Sequence, residues 1–270
     1  MNKRILAILI AVIVLLVAAV PAAAITDGEL DGENHPQVVL IIMDVGGSPE
    51  YRCSGTLLSP TVVLTAGHCT SNYPDSEFTG IRIFTESDVE NGDNDYPYGT
   101  GNNTIEASEW YAHPDYPTAP FFFNDVGVII LEEAYDLDEE YYAELPEADY
   151  LDQFKTKRGL NKLWFTAVGY GLQRINPVFV ESEKIRMFAE PKLIQINTPG
   201  FTGDFSLLLS NNHSTGGTCF GDSGGPNFIK DTNVVGGVTS FGLNGNCAGT
   251  GGVFRMDRQN VLDFVNQYLD

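Results

Sequence analysis

Residues 219–226 read CFGDSGGP. Ser223 stands among Gly221, Gly224 and Gly225, with Asp222 directly before it. Three glycines in so short a run predict a backbone bent tightly around the serine, because glycine enters left-handed and crowded conformations at little steric cost. The aspartate is too close along the chain to be an obvious partner for its neighbour's side chain. Its charge therefore needs an explanation of its own.

Cys219, which opens this stretch, is one of four cysteines, the others being Cys53, Cys69 and Cys247. An even number in an exported chain suggests two disulfides, and four cysteines allow three connectivities. Export is read from the N-terminus, MNKRILAILIAVIVLLVAAVPAAAIT. Lys3 and Arg4 precede an apolar run from Ile5 to Val20, which Pro21 and Ala22, Ala23 and Ala24 close. This is the pattern of a signal peptide spanning 1–24, with the mature product secreted to the extracellular or periplasmic side. A retained anchor is the alternative, since the run is only a little short of a membrane span.

Removing residues 1–24 deletes two cations and no acid, so the formal charge moves from −21 to −23. Such a chain repels nucleic acid and anionic lipid. The acids gather in TESDVENGDNDYP (85–97) and LEEAYDLDEEYYAELPEADYLD (131–152). The first offers the hard oxygens that calcium takes, but its spacing matches no EF-hand loop, and a solvated loop explains it equally. No cofactor is expected, and no Cys/His spacing suits a metal.

Short β-rich runs recur between turn residues. VVLIIMDV (38–45), TVVLTA (61–66), IRIFT (81–85) and VGVIIL (126–131) form a first half. The acidic, tyrosine-rich stretch 132–160 has no strand pattern and reads as a crossing linker. LWFTAVGYG (163–171), KIRMFAEPKLIQI (184–196), FSLLLS (205–210), VVGGVTSF (234–241) and GGVFRM (251–256) form a second half. Val261, Phe264, Val265, Tyr268 and Leu269 then recur at helical spacing, predicting an amphipathic C-terminal helix. Two β-rich halves and one late helix suggest a pair of barrels with a groove between them.

Covalent hydrolysis of an acyl bond needs a nucleophile, a base, an orienting group and an oxyanion site. A serine hydroxyl is inert until a base takes its proton. The chain has four histidines. His68, in LTAGHC, ends an apolar strand beside Cys69. His35 and His113 each precede a proline and read as loop residues, and His213 lies in the polar turn SNNHST. Asp125, in FFFNDVGVIIL, stands at the mouth of an apolar strand. It reads either as a buried orienting carboxylate or as a strand-start cap, since buried charges are costly unless paired.

At this point the sequence resembles the trypsin/chymotrypsin family of secreted serine endopeptidases. The resemblance rests on CSGTLLSPTVVLTAGHC (53–69), NDVGVIIL (124–131), CFGDSGGP (219–226) and VTSFG (238–242), in the family's order. It implies an all-β fold of two antiparallel, six-stranded β-barrels with the active site in the cleft between them, plus a C-terminal α-helix. The protease domain would run over 25–270, with the first barrel at about 25–133, a linker at about 134–160, and the second barrel and helix at about 161–270. The implied disulfides are Cys53–Cys69 and Cys219–Cys247.

The same resemblance assigns Ser223 as nucleophile, His68 as general base and then acid, and Asp125 as the group that orients the imidazole. The N–H groups of Gly221 and Ser223 would form the oxyanion hole. Substrate would meet Gly217, Thr218, Phe220, Ser240, Phe241, Gly242 and Gly252. In the family the residue six before the nucleophile lies at the base of the primary specificity pocket; here it is Gly217, with Gly252 at the matching wall. With no carboxylate at either place, and glycines at 217, 242 and 252, the reading is a roomy pocket for an aromatic or leucine-like side chain. Asp222 would pair with the α-amino group of Ile25 once signal cleavage exposes it.

Gly67 replaces the usual alanine, Phe241 replaces the usual tryptophan, and the segment from His68 to Asp125 is longer than in the pancreatic enzymes. None of these removes a catalytic group. The implied partners are protein or peptide substrates and proteinaceous inhibitors, met by a monomer. A catalytically silent homologue that binds proteins in the same groove is the alternative, although such relatives usually lose a triad residue. A dedicated esterase is a third reading. The nucleophile lacks the G-x-S-x-G elbow of the α/β-hydrolases.

Overall fold

The structure is a computed structural model that describes residues 25–72, 77–116, 123–155, 163–176, 179–196 and 203–269. Residues 1–24, expected to be a signal peptide, lie outside the described residues, as does the last part of the expected 134–160 linker. Strand β2 (Val38–Val45) shows why one run is apolar at nearly every position. Val39, Ile41 and Met43 join a core made from the first half alone, with Val63, Ile83 and Ile129. Val38, Leu40 and Ile42 join a core that spans both halves, with Tyr170, Val238 and Phe254. Successive side chains of a strand point to opposite faces, so a strand covered on both sides loses its polar alternation.

The first half is a closed barrel. Its strands are β2, β3 (Ser48–Ser59), β4 (Val62–Thr65), β5 (Phe78–Phe84), β6 (Thr104–Ala112) and β7 (Gly127–Leu131), in the order β2-β3-β4-β7-β6-β5. β3 and β6 escape the sequence reading. β6, TIEASEWYA, has no buried residue, and none of the first five residues of β3 is buried.

The second half corrects the expectation of two six-stranded barrels. It is an open eight-stranded sheet that includes β1 (Glu29–Leu30), β8 (Phe165–Gly169), β11 (Met187–Ala189), β12 (Leu193–Ile196), β13 (Ser206–Asn211), β14 (Pro226–Ile229), β15 (Val235–Gly242) and β16 (Gly249–Arg255). The order is β1-β11-β8-β14-β15-β16-β13-β12. The small hairpin of β9 (Arg174–Asn176) and β10 (Phe179–Glu181) stands apart. The reason lies in the run read as one strand over 184–196. It breaks at Pro191, which lacks an N–H and cannot continue a ladder. The part before the break pairs with β8, and the part after it pairs with β13. Trp164 and Lys192 meet only as an isolated bridge, so the two flanks do not zip into a closed cylinder.

The two chain ends are exchanged between the halves. β1, which precedes the barrel, pairs with β11 of the open sheet. Helix α1 (Gln259–Asn266), which follows the sheet, meets the barrel: Phe264 lies 5.2 Å from the His113 ring, and Tyr268 stacks on Tyr111 at 5.0 Å. The fully buried Arg186 fastens the N-terminal strap. It donates to Asp31 Oδ2 at 3.0 Å, to the Gly32 carbonyl at 2.7 Å and to the Val38 carbonyl at 3.0 Å. A buried ion pair is tolerated when such extra hydrogen bonds satisfy it.

Candidate active site

β4 pairs antiparallel with β7, with Thr65 opposite Gly127. That register brings the residues after β4 beside those before β7. His68 sits on the short 3-10 turn Gly67–Cys69, and Asp125 precedes Gly127 by two residues. His68 Nδ1 lies 2.9 Å from Asp125 Oδ2 and 3.1 Å from Oδ1, and the His68 backbone N–H donates to Oδ1 at 2.9 Å. Across the cleft, Ser240 of β15 donates its hydroxyl to Oδ2 at 2.5 Å. Asp125 is fully buried, so its charge is held by donors from both halves.

A carboxylate only accepts, so Nδ1 carries the imidazole proton and Nε2 keeps its lone pair. Burial by itself pushes the His68 pKa down. The charge and hydrogen bond of Asp125 more than offset this, and the imidazole titrates above its usual 6.5.

Ser223 lies on the turn between Cys219 and β14, and it lines one surface pocket together with His68 and Gly221. The turn is pressed between the halves. Gly224 has φ +77°, and a Cβ there would stand 2.0 Å from Thr65 Oγ1 of the barrel. Gly221 has φ +97°, and a Cβ there would meet Arg52 Nε at 2.8 Å. Among the described residues, no acceptor is bonded to the N–H groups of Gly221 and Ser223. The Gly221 carbonyl accepts from the buried Ser54 hydroxyl at 3.0 Å, and that hydroxyl accepts from Tyr170 N–H at 3.0 Å. Ser54 N–H in turn donates to the Ser223 carbonyl at 2.8 Å.

Asp222, directly before Ser223, is fully buried. Its oxygens accept from Gly171 N–H at 2.7 Å and Cys219 N–H at 2.8 Å. Burial pushes its carboxyl up to about 7, against those two hydrogen bonds and the nearby Arg52 charge. No described side chain forms an ion pair with it. Ile25 is buried with Ile185, Met187 and Ala189, and the next residue, Thr26, accepts from Gly217 N–H at 3.1 Å.

A second pocket opens beside Ser223, bounded by Thr218, Phe220, Thr239, Asn244, Thr250 and Gly251 and by the Cys219–Cys247 disulfide. Ser240, Phe241 and Gly242 also border it, whereas Gly217 and Gly252 do not. A Cβ on Gly252 would strike the Phe241 ring at 2.4 Å, so this residue belongs to the sheet face that Phe241 covers, and Gly251 forms the wall in its place. The ladder irregularity between Thr239 and Phe241 accounts for the one-residue slip. The room expected at Gly217 is occupied by Asn211, whose Cγ lies 2.4 Å from the Cβ position. Sequence reasoning missed Ser54, Arg52, Asn211, Thr250 and Gly251, because none carries a local signal. The Cys53–Cys69 bridge braces the His68 turn.

The acidic loop does not gather carboxylates. Glu86 accepts from Asp93 N–H at 3.0 Å and from the Asn94 amide at 2.5 Å. The one described trio close enough to share a metal is Cys53, His68 and Cys69, and its sulfurs are bonded to each other.

The family model for Trypsin matches residues 30–265. A venom serine protease of Polistes dominula is 23% identical over 235 residues, covering 82% of this chain and 77% of that protein. Glandular kallikrein-10 of Rattus norvegicus is 30% identical over 210 residues, covering 72% and 71%. The solved structure of HL collagenase superposes with a TM-score of 0.68 at 20% identity, covering 91% of this chain and 98% of its own.

Proposed function

Because the chain belongs to the trypsin family of serine proteases, we propose that it is a secreted endopeptidase that works through an acyl-enzyme on Ser223. The observation that carries the reading is the buried Asp125, which holds His68 in the tautomer that leaves Nε2 free to accept. His68 takes the Ser223 hydroxyl proton as Oγ adds to the scissile carbonyl. The N–H groups of Gly221 and Ser223 stabilise the resulting oxyanion, each such donor contributing roughly 3 kcal/mol. The imidazolium then gives its proton to the leaving amine as the C–N bond breaks. Water, deprotonated by the same histidine, releases the acyl group and restores the serine.

The preferred residue before the scissile bond is hydrophobic. Among the described residues, no charged side chain borders the pocket beside Ser223, so a lysine or arginine guest would lose its hydration without gaining a counter-ion. Working order depends on the Ile25 amine pairing with Asp222, freed when signal peptidase cuts after Ala24. The buried Ile25 side chain and the lack of a cationic partner for Asp222 among the described side chains support this. No described helix is long and apolar enough to cross a membrane. Protein substrates, proteinaceous inhibitors and a monomeric state complete the reading, with the halves divided near 133 and 161.

A fluorophosphonate probe, casein and a nitrophenyl ester test it on protein beginning at Ile25. The expected result is probe labelling at Ser223 and casein hydrolysis, both lost in Ser223→Ala. Absence of labelling would favour a silent binding module, and ester turnover without casein cleavage a dedicated esterase.

A further inference from the structure

The residues around Cys53 on β3 clasp the serine turn. Side chains alternate along a strand, so Arg52 and Ser54 share one face of β3. The Ser54 hydroxyl donates to the Gly221 carbonyl at 3.0 Å, and its N–H donates to the Ser223 carbonyl at 2.8 Å. Arg52 lies against Gly221 itself. A Cβ there would stand 2.8 Å from Nε and 3.2 Å from Nη2, so the guanidinium fills the volume that another residue at 221 would need. Nη2 donates to Ser182 Oγ at 3.0 Å, which fixes the head in place. Arg52 borders the pocket that His68, Gly221 and Ser223 line. Arg82, Arg186, Arg255 and Arg258 each hold a carboxylate, whereas Arg52 holds none among the described residues. Carboxylates are not scarce in a chain with 36 acidic residues against 15 lysines and arginines. Glu50 borders the same pocket but is exposed, so water screens its charge, while Arg52 is half-buried. The Arg52 charge is felt across the turn, where it pulls the Asp222 carboxyl down against the effect of burial.

We infer that Arg52 is a fixed positive charge behind the oxyanion hole, which stabilises the negative charge that forms on the substrate carbonyl oxygen when Ser223 adds to it. This rests on the reading of Ser223 as nucleophile in the preceding section. The forming oxyanion faces the N–H groups of Gly221 and Ser223, and Arg52 lies against the first of these two residues. The charge is in place before reaction, so it costs no reorganisation as the bond forms. A guanidinium does not titrate, so it is present at every pH at which His68 is neutral. The ground-state carbonyl carries no net charge, so the effect falls on the transition state and on kcat. A unit charge a few ångströms beyond the hole, in a half-buried setting, is worth about tenfold in rate. Glycine at 221 thus serves twice: it permits φ +97°, and its bare Cα lets the guanidinium approach.

The test uses protein beginning at Ile25 and a peptidyl aminomethylcoumarin, whose leaving group brings no charged residue to meet Arg52. A peptidyl trifluoromethyl ketone serves as the second probe, because Ser223 adds to it to give a stable anion in the hole. Arg52→Gln and Arg52→Met should each lower kcat by about tenfold and change KM by less than about twofold. The ketone should bind about tenfold more weakly to both, in step with kcat. Arg52→Lys, which keeps the charge but not the planar head, should recover most of both losses. Circular dichroism checks the fold, and two neutral variants are made so that if one does not fold the other decides. An unchanged kcat in a folded neutral variant overturns the inference. So does an equal loss in Arg52→Lys, which would make Arg52 a packing residue, or a fall in kcat with ketone affinity unchanged. A rise in KM alone would make it a substrate contact and also overturns the inference. Each of these outcomes leaves the endopeptidase reading intact. A parent that neither cleaves the coumarin peptide nor binds the ketone overturns that reading and this inference with it.

Discussion

Asp125 and Asp222 are both fully buried carboxylates, one on the barrel side of the cleft and one in the turn that carries Ser223. Their surroundings differ in kind. Asp125 receives the His68 ring N–H, the His68 backbone N–H and the Ser240 hydroxyl. Asp222 receives two neutral backbone N–H groups, and burial pushes its carboxyl up to about 7. Neutral dipoles offset only part of the cost of stripping water from a charge. The comparison teaches that one fold can bury two carboxylates on different terms, one against an imidazole that can carry a compensating charge and one against backbone dipoles. Control over activity can then enter at the second carboxylate without disturbing the first.

The largest expected effect comes from breaking the complete side. Asp125→Asn should lower kcat by roughly 10⁴-fold, because the amide can donate to Nδ1 and favour the wrong tautomer. Steady-state kinetics check this, and a loss under tenfold would remove Asp125 from the mechanism. The same side predicts a pH profile. The base must be neutral, so activity rises as pH climbs through the His68 pKa, which Asp125 holds above 6.5. The acid limb of kcat/KM should therefore lie above that value.

Breaking the other side should cost less, and should depend on the N-terminus. In protein beginning at Ile25, Asp222→Asn removes one partner of a buried pair, worth about 3–5 kcal/mol, and kcat/KM should fall by hundreds-fold or more. With one extra residue before Ile25, parent and variant should be similarly weak. Equal activity of the extended and native forms would give Asp222 some other role.

The extended form also sharpens the comparison by stability. A carboxyl raised from about 4 to about 7 on folding binds a proton in the native state that the unfolded chain has released. Stability should fall as pH rises across that window, by roughly 1.4 kcal/mol per pH unit. Chemical denaturation at pH 5 and pH 7 measures it, and Asp222→Asn in the extended form should flatten the slope. The smallest effect belongs to Ser54→Ala. It strands the Gly221 carbonyl and Tyr170 N–H, at about 1–2 kcal/mol. A drop in kcat with KM unchanged would mark Ser54 as a positioning residue for the turn.

These contrasts also separate what the sequence makes legible from what it hides. β2 and β7 are apolar enough to be read directly, and the helix follows from the spacing of Val261, Phe264 and Val265. β6 is hidden because a barrel strand with exposed, charged positions looks like loop. The open second sheet is hidden because closure depends on whether two flanks bond to each other, and Pro191 decides that from within an otherwise strand-like run. At the site, His68, Asp125 and Ser223 sit in distinctive local motifs. Gly217 and Gly252 show the limit. A glycine in sequence reads as space, but Asn211 comes from another strand to fill one gap, and a ladder slip turns the other glycine to the Phe241 face.

The place of β16 in the sheet bears on when a nascent chain becomes dangerous to its maker. β16 lies between β15 and β13, although it is the last strand in the chain. A growing polypeptide that has emerged through residue 248 holds the serine turn, His68 and Asp125, but β15 and β13 lack the strand that joins them. The wall formed by Thr250 and Gly251 is missing, and the C-terminal strap has not reached the barrel. Pairing across so long a sequence separation is slow and comes late. Order of synthesis therefore withholds the recognition cleft until residues 249–255 have emerged and β16 has paired.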